Sequence, residues 1–195
     1  MWGRRSVAVG VLLVAIAVIG GVILLVTGDD DSDSGSGAGP APAADLNELQ
    51  DRFLDRTVVI PSDGISVRRP ADWKDSKEQG VITLLSPNRC VSVSMSAPAG
   101  AKGAKGLMDD SLGALRQTYK KVAVVPGGQG AIGGVPTTSR TIQLTDAKGN
   151  RRRVLLGVGT GNKNAYLTQV VLGNPSCQGE LALAQVILSS AEFTK

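Results

Sequence analysis

Residues Ser6 to Gly28 carry no charged side chain, and most of them are apolar: Val7, Val9, Val11, Leu12, Leu13, Val14, Ile16, Val18, Ile19, Val22, Ile23, Leu24, Leu25 and Val26. A helix needs roughly 20 such residues to cross the hydrocarbon core of a bilayer. The run predicts one transmembrane helix at residues 6–28. Arg4 and Arg5 precede it, while Asp29, Asp30, Asp31 and Asp33 follow. The basic flank stays cytoplasmic. Residues 1–5 are therefore expected in the cytoplasm and everything after Gly28 outside it, in a single-pass cell-membrane protein. A cleaved signal peptide would have an apolar run of about 7–15 residues and a small-residue cleavage site close behind. This run is longer, and the A-x-A pattern at Ala41-Pro42-Ala43 lies far beyond its end. No cysteine sits near that end, which excludes a bacterial lipoprotein. Gly10, Gly20 and Gly21 form no G-x-x-x-G pair, so no helix-dimer face is evident.

Residues 29–44 read DDDSDSGSGAGPAPAA. The segment has no apolar periodicity and predicts a flexible tether with a typical span of roughly 20–25 Å. Its aspartates read as a solvated linker and topology signal rather than as a calcium site. Residues 45–195 suffice for one extracytoplasmic domain. Aromatics are 3% of the chain, so Val, Ile, Leu and Ala must build the core. From Asp45 onward there are 19 Lys and Arg against 13 Asp and Glu, a balance of +6. Such a surface attracts acidic partners, such as anionic head groups, an acidic wall polymer or an acidic protein face. Nucleic acid is not expected outside the cell.

Cys90 and Cys177 are the two cysteines. An oxidising compartment favours a disulfide between them; two separate buried thiols are the alternative. Closing so long a loop stabilises by about 4 kcal/mol in the chain-entropy treatment.

Asp45-Leu46-Asn47-Glu48 has the form of a capped helix start, and Leu46, Leu49 and Phe53 follow at helical spacing, which predicts a short helix over 46–55. Strands are predicted at 57–60, 65–69 and 81–85. The clearest alternation sets Val91, Val93 and Met95 against Ser92, Ser94 and Ser96, a half-buried strand with a polar serine face. Met108, Leu112, Leu115, Tyr119 and Val122 recur at spacings that predict a helix over 107–121. Asp109 and Asp110 would then favour its N-terminus, Lys120 and Lys121 its C-terminus. Strands at 137–145, 152–158 and 165–172, joined by tight turns, predict antiparallel hairpins. A last helix begins at Asn174-Pro175-Ser176, with Leu181, Ala184, Ile187 and Leu188 on its apolar face.

This element order, with Pro70-Ala71-Asp72-Trp73-Lys74 after the early strands and a closing helix that ends in Ser189-Ser190-Ala191-Glu192-Phe193, resembles a PsbP-like domain over about residues 58–193. The resemblance implies an α+β fold, an α/β/α sandwich of helices around an antiparallel sheet, whose last helix turns back into one short edge segment. It also implies an accessory or adaptor module of a larger assembly.

The chain has no histidine. That removes Ser-His and Cys-His nucleophile pairs and the commonest metal ligand. Two cysteines without histidine make no ordinary zinc site. Gly128-Gln129-Gly130-Ala131-Ile132-Gly133 matches G-x-G-x-x-G, but that fingerprint needs a helix to open at its third glycine. Gly134-Val135-Pro136 and a strand follow instead, so residues 127–134 read as a glycine-rich loop. Asp109 and Asp110 are adjacent on a helix and point about 100° apart, which is unsuited to a paired-carboxylate site. Trp73 is expected to anchor its loop in the core rather than face a ligand. No catalytic residue, metal or cofactor is expected.

The densest basic run, Arg151-Arg152-Arg153, follows the Lys148-Gly149-Asn150 turn. Alternation puts Arg151 and Arg153 on one face and Arg152 on the other. These arginines are the candidate partner-binding residues, with a solvated hairpin end as the bland alternative. The chain thus reads as a non-enzymatic, membrane-tethered accessory module that docks onto a membrane complex or an anionic envelope component. A small-ligand or lipid carrier of the envelope, with a pocket between sheet and helix, is the alternative.

Overall fold

A computed structural model describes residues 57–62, 64–98, 101, 103–161, 164–173, 177 and 180–193. The predicted transmembrane helix, the tether, the helix over 46–55 and the Asn174-Pro175-Ser176 start lie outside the described residues. Among the described residues no helix is long and apolar enough to cross a membrane.

The chain forms ten strands and two helices among those residues. The strands are β1 (Thr57–Ser62), β2 (Ile65–Pro70), β3 (Lys74–Glu78), β4 (Val81–Leu85), β5 (Val91–Ser96), β6 (Lys121–Ile132), β7 (Val135–Thr145), β8 (Arg151–Gly161), β9 (Asn164–Leu172) and β10 (Glu192–Phe193). The helices are α1 (Gly103–Thr118), between β5 and β6, and α2 (Leu181–Ser189), between β9 and β10. Seven strands form one sheet in the order β3-β4-β5-β9-β8-β7-β6, and β1-β2-β10 form a second. Every strand pair is antiparallel.

Alternation along the central strands divides the core in two. Tyr166, Val170 and Leu172 of β9 join Val91, Val93, Met95, Trp73 and the α2 residues Ala184, Val186 and Ile187. Ala165, Leu167 and Val171 point the opposite way and join Ile142, Leu144, Val154, Leu156 and Val158 beneath Leu107, Met108, Leu112 and Leu115 of α1. A helix therefore packs on each face of the large sheet, as the resemblance implies. The P-x-x-W segment is a tight corner between the two sheets. Trp73 donates its backbone N–H to the Pro70 carbonyl at 3.1 Å, and its side chain is buried in the α2-side core. The closing segment returns to pair Glu192 with Ser66 and Phe193 with Ile65.

Several local expectations are corrected. Helix α1 begins at Gly103 and ends at Thr118, so Lys120 and Lys121 are not helical; Lys121 opens β6 opposite Thr145. Asp109 and Asp110 fall beyond the first turn, which holds no acidic residue, and their dipole role lapses. Residues 127–132 are not a loop: β6 continues through them, with a register shift between Pro126 and Gln129. The serine face of β5 is buried rather than solvated, because it lies on the α1 side of the sheet, level with Val171 and Leu167 of the α1-side core. Ser92, Ser94 and Ser96 are all buried, and the hydroxyls of Thr83 and Ser94 bond each other across β4 and β5 at 3.2 Å. The entirely exposed polar strand β3 carries no alternation to announce it; it is an edge strand blunted by charge.

The disulfide forms between Cys90 and Cys177, with Cα atoms 5.4 Å apart. Cys90 lies immediately before β5. Cys177 lies between β9 and α2, ahead of the last helix rather than in its first turn.

Gly133 and Gly134 both have positive φ, +54° and +75°, as the two central residues of a tight β6–β7 hairpin turn require. A Cβ on Gly133 would also lie 2.0 Å from the Ala191 carbonyl oxygen, whereas one on Gly134 meets open space. Gly133→Ala should therefore cost about 2 kcal/mol or more, the backbone strain plus a displacement of the closing segment, and Gly134→Ala about 1 kcal/mol. Thermal unfolding of the two variants measures the difference; equal melting temperatures would show that the turn does not press on Ala191.

Candidate partner-binding site

Arg151, Arg152 and Arg153 open β8 directly after the five-residue connection from β7. That connection is organised by Asp146. One carboxylate oxygen accepts the backbone N–H groups of Lys148 and Asn150, each at 2.9 Å, and the other accepts the Asn150 side-chain amide at 2.9 Å. The Asp146 N–H donates to the Asn150 carbonyl, and the Gly149 N–H donates to the Asp146 carbonyl. Gly149 has φ +91°, a conformation that an L side chain rarely adopts. The Asn150 side-chain hydrogen bond is the main reason the Asp146 carboxyl is held below its ordinary pKa. Partial desolvation acts against it, and the two backbone hydrogen bonds and the nearby Arg152 charge reinforce it.

The register divides the three arginines as alternation predicts. Arg152 lies opposite Leu144, on the α1 side, while Arg151 and Arg153 lie opposite Thr145 and Gln143 on the other side. Arg152 is half-buried and its charge acts on both Tyr119 and Asp146. Burial pushes the Tyr119 hydroxyl above its usual pKa; Arg152 opposes that rise and Asp146 adds to it. Arg152 Nε is buried without a hydrogen-bond partner. Arg152 therefore belongs to the underside of the hairpin rather than to a docking surface.

Arg151 and Arg153 belong to an open face. Lys121 and Arg151 flank Thr145 in one cross-strand row, and Ala123, Gln143 and Arg153 make the next. Lys121, Ala123, Val125, Gln143 and Arg151 are exposed, and Val125, at 43%, is the large apolar residue left open to solvent among the described residues. α2 does not cover this corner of the sheet. The arrangement is a flat surface of short side chains with cations at one end, suited to contact and electrostatic attraction. Lys121 was legible only as a helix-terminal residue; its place beside Arg151 follows from strand pairing that no local pattern encodes.

No group of three or more His, Cys, Asp or Glu side chains able to hold a metal occurs among the described residues. The G-x-G-x-x-G glycines run along β6 into the hairpin turn, with no helix at the third glycine.

Antiparallel sheets with a helix on each face of the larger one define a PsbP-like α+β domain. The fold is similar to cyanobacterial PsbP from Synechocystis sp. PCC 6803, with a TM-score of 0.54 at 13% identity, over 82% of this chain and 98% of that one. LpqN of Mycobacterium tuberculosis, described as involved in cell envelope biogenesis, gives 0.47 at 15% identity, over 80% of this chain and 100% of that one. A Bacteroides thetaiotaomicron structure gives 0.48 at 16% identity over 72% of this chain, which spans about half of it, 48%. No protein-family model matches the sequence, and no curated protein matches it.

The turn at Asp146 carries a pH signature. A carboxyl with a lowered folded-state pKa contributes stability above its unfolded value of about 3.9, and loses it as pH falls through the folded value. NMR shifts of the Lys148 and Asn150 amides should therefore step at acid pH. In Asp146→Asn the step should vanish while the turn retains an acceptor oxygen; a step that survives would assign it to another group.

Proposed function

We propose that this chain is a membrane-tethered extracytoplasmic accessory module that binds rather than catalyses, and that it docks onto an anionic component of the cell envelope or of a membrane complex. The observation that carries the reading is the open corner of the sheet at Lys121, Arg151 and Arg153, where three cations stand together with no ion pair among the described residues. Arg69–Asp75, at 2.7 Å, is the salt bridge found among the described residues. The PsbP-like fold supports a module of this size, and the apolar run at residues 6–28 supports the tether. The lack of histidine supports a role without acid–base or nucleophilic chemistry of the usual kinds. A carrier would need room between the sheet and α2, a space that Trp73, Leu84, Met95, Tyr166 and Ile187 occupy.

The direct test replaces Arg151 and Arg153 with serine and leaves Arg152, which is part of the packing under the hairpin. Exposed substitutions change stability by only about 0.5 kcal/mol, so folding should persist. Recovery of the full chain with its envelope partner from gentle detergent should fall. The difference from the unaltered protein should shrink as salt rises, because exposed charges are screened over about 8 Å at physiological ionic strength. Unchanged recovery would remove these arginines from the interface. Hydrolysis by the purified protein, abolished by one serine or carboxylate substitution, would overturn the non-enzymatic reading.

A further inference from the structure

The cations of the open corner are part of a larger asymmetry. In the seven-stranded sheet β3, β5, β6 and β8 begin at one end, and β4, β7 and β9 finish there. Helix α1 also ends there, two residues before β6. That end carries Lys74 at the start of β3, Arg89 in the β4–β5 turn and Arg116 in the last turn of α1. Lys120, Lys121, Lys148 and Arg151 complete the set, and all seven side chains are exposed. Arg152 and Arg153 stand just behind them.

The acidic groups at this end are mostly engaged. Asp75 is paired with Arg69, Asp146 holds its own turn, and Glu180 accepts from the Asn88 side chain. Asp72 is left. Among the described residues the opposite end carries Lys77 and Lys105 against Glu78 and Glu192, and the exposed pair Asp109 and Asp110 lies midway along α1.

The chain joins the domain at the basic end. Thr57, the first described residue, pairs with Pro70. The Pro70 carbonyl accepts the Trp73 N–H, and Lys74 then opens β3 at the basic end. Thr57, where the described chain begins, therefore stands at the end of the domain where the cations gather.

We propose that this end of the domain lies against the anionic head groups of the bilayer that holds the chain, with Lys74, Arg89, Arg116, Lys120, Lys121, Lys148 and Arg151 as its contacts. The proposal rests on the membrane-tethered reading and names the anionic partner of the same site. A tether makes the contact intramolecular, so individually weak attractions act at high effective concentration. Basic side chains near an anionic lipid surface gain from its potential within about a Debye length. The geometry orients the domain: the Gly133–Gly134 turn and the far end of α2, which meet at Ala191, face away from the head groups and stay open for other contacts.

The experiment uses the full chain in vesicles of phosphatidylcholine alone, or of phosphatidylcholine and phosphatidylglycerol in equal amounts. A membrane-impermeant acetylating reagent labels exposed lysines, and mass spectrometry reads each site. Lys74, Lys120, Lys121 and Lys148 should label at least about threefold more slowly on the anionic vesicles at low salt. Lys77 and Lys105, toward the other end, should not change, and added salt should abolish the difference. Equal labelling on both bilayers would overturn the proposal. Slow labelling on both, independent of lipid charge, would also overturn it and assign the basic end to the Asp29–Asp33 segment of this chain. Flotation separates this from the reading beneath it. A chain that floats with pure phosphatidylcholine at high salt is anchored whatever the footprint shows; a chain that does not has no membrane anchor.

Discussion

The pairing of β5 with β9 holds the large sheet together. Strands β3, β4 and β5 come from one part of the chain and β6 to β9 from another, and within the sheet the two groups are joined by this ladder, from Val91 opposite Leu172 to Ser96 opposite Leu167. Both strands are buried on both faces for nearly their whole length, so the junction lies between the two cores. Such a long-range pairing carries a large loop-closure cost. The Cys90–Cys177 bond acts at one end of it: Cys90 precedes Val91, Cys177 follows Leu172 by five residues, and the Gly173 N–H reaches the Cys90 carbonyl at 2.8 Å. With the cysteines 87 positions apart in sequence, the cross-link removes roughly 4–5 kcal/mol of unfolded-chain entropy, much of a domain's net stability.

The same ladder fixes which loops become neighbours. Antiparallel order brings the start of β8, the start of β6 and the end of α1 to one end of the sheet, together with the Pro70–Trp73 corner and Thr57 beside it. Residues that lie far apart in sequence, such as Lys74 and Arg151, become members of one charged end. Charge placement in this protein is thus a product of strand direction rather than of any basic motif.

Much of this fold was legible because its signals are local. β4 and β5 match the sequence reading, since apolar runs and strict alternation are properties of a few consecutive residues. The apolar face of α1 was also legible, but its limits were not. Val122 continues the helical spacing and packs on the α1-side core, yet it does so from β6: pairing with β7 overrides the periodicity. The glycines of β6 carry no strand propensity and are extended by the same partner. The three arginines were visible as a run, and their division between faces followed from alternation. Lys74, Arg89 and Lys148 were ordinary surface residues until the strand order placed them beside Arg151.

If the β5–β9 ladder and its disulfide make the two halves one cooperative unit, amide exchange should show it. In the oxidised protein the amides of β4 and β5 and those of β8 and β9 should open at a common free energy. In the Cys90→Ser, Cys177→Ser protein both sets should fall together by roughly 2–5 kcal/mol. If β4 and β5 open at a distinctly lower free energy than β8 and β9, and only that half responds to loss of the disulfide, the halves fold separately and the ladder is not the element on which the structure depends.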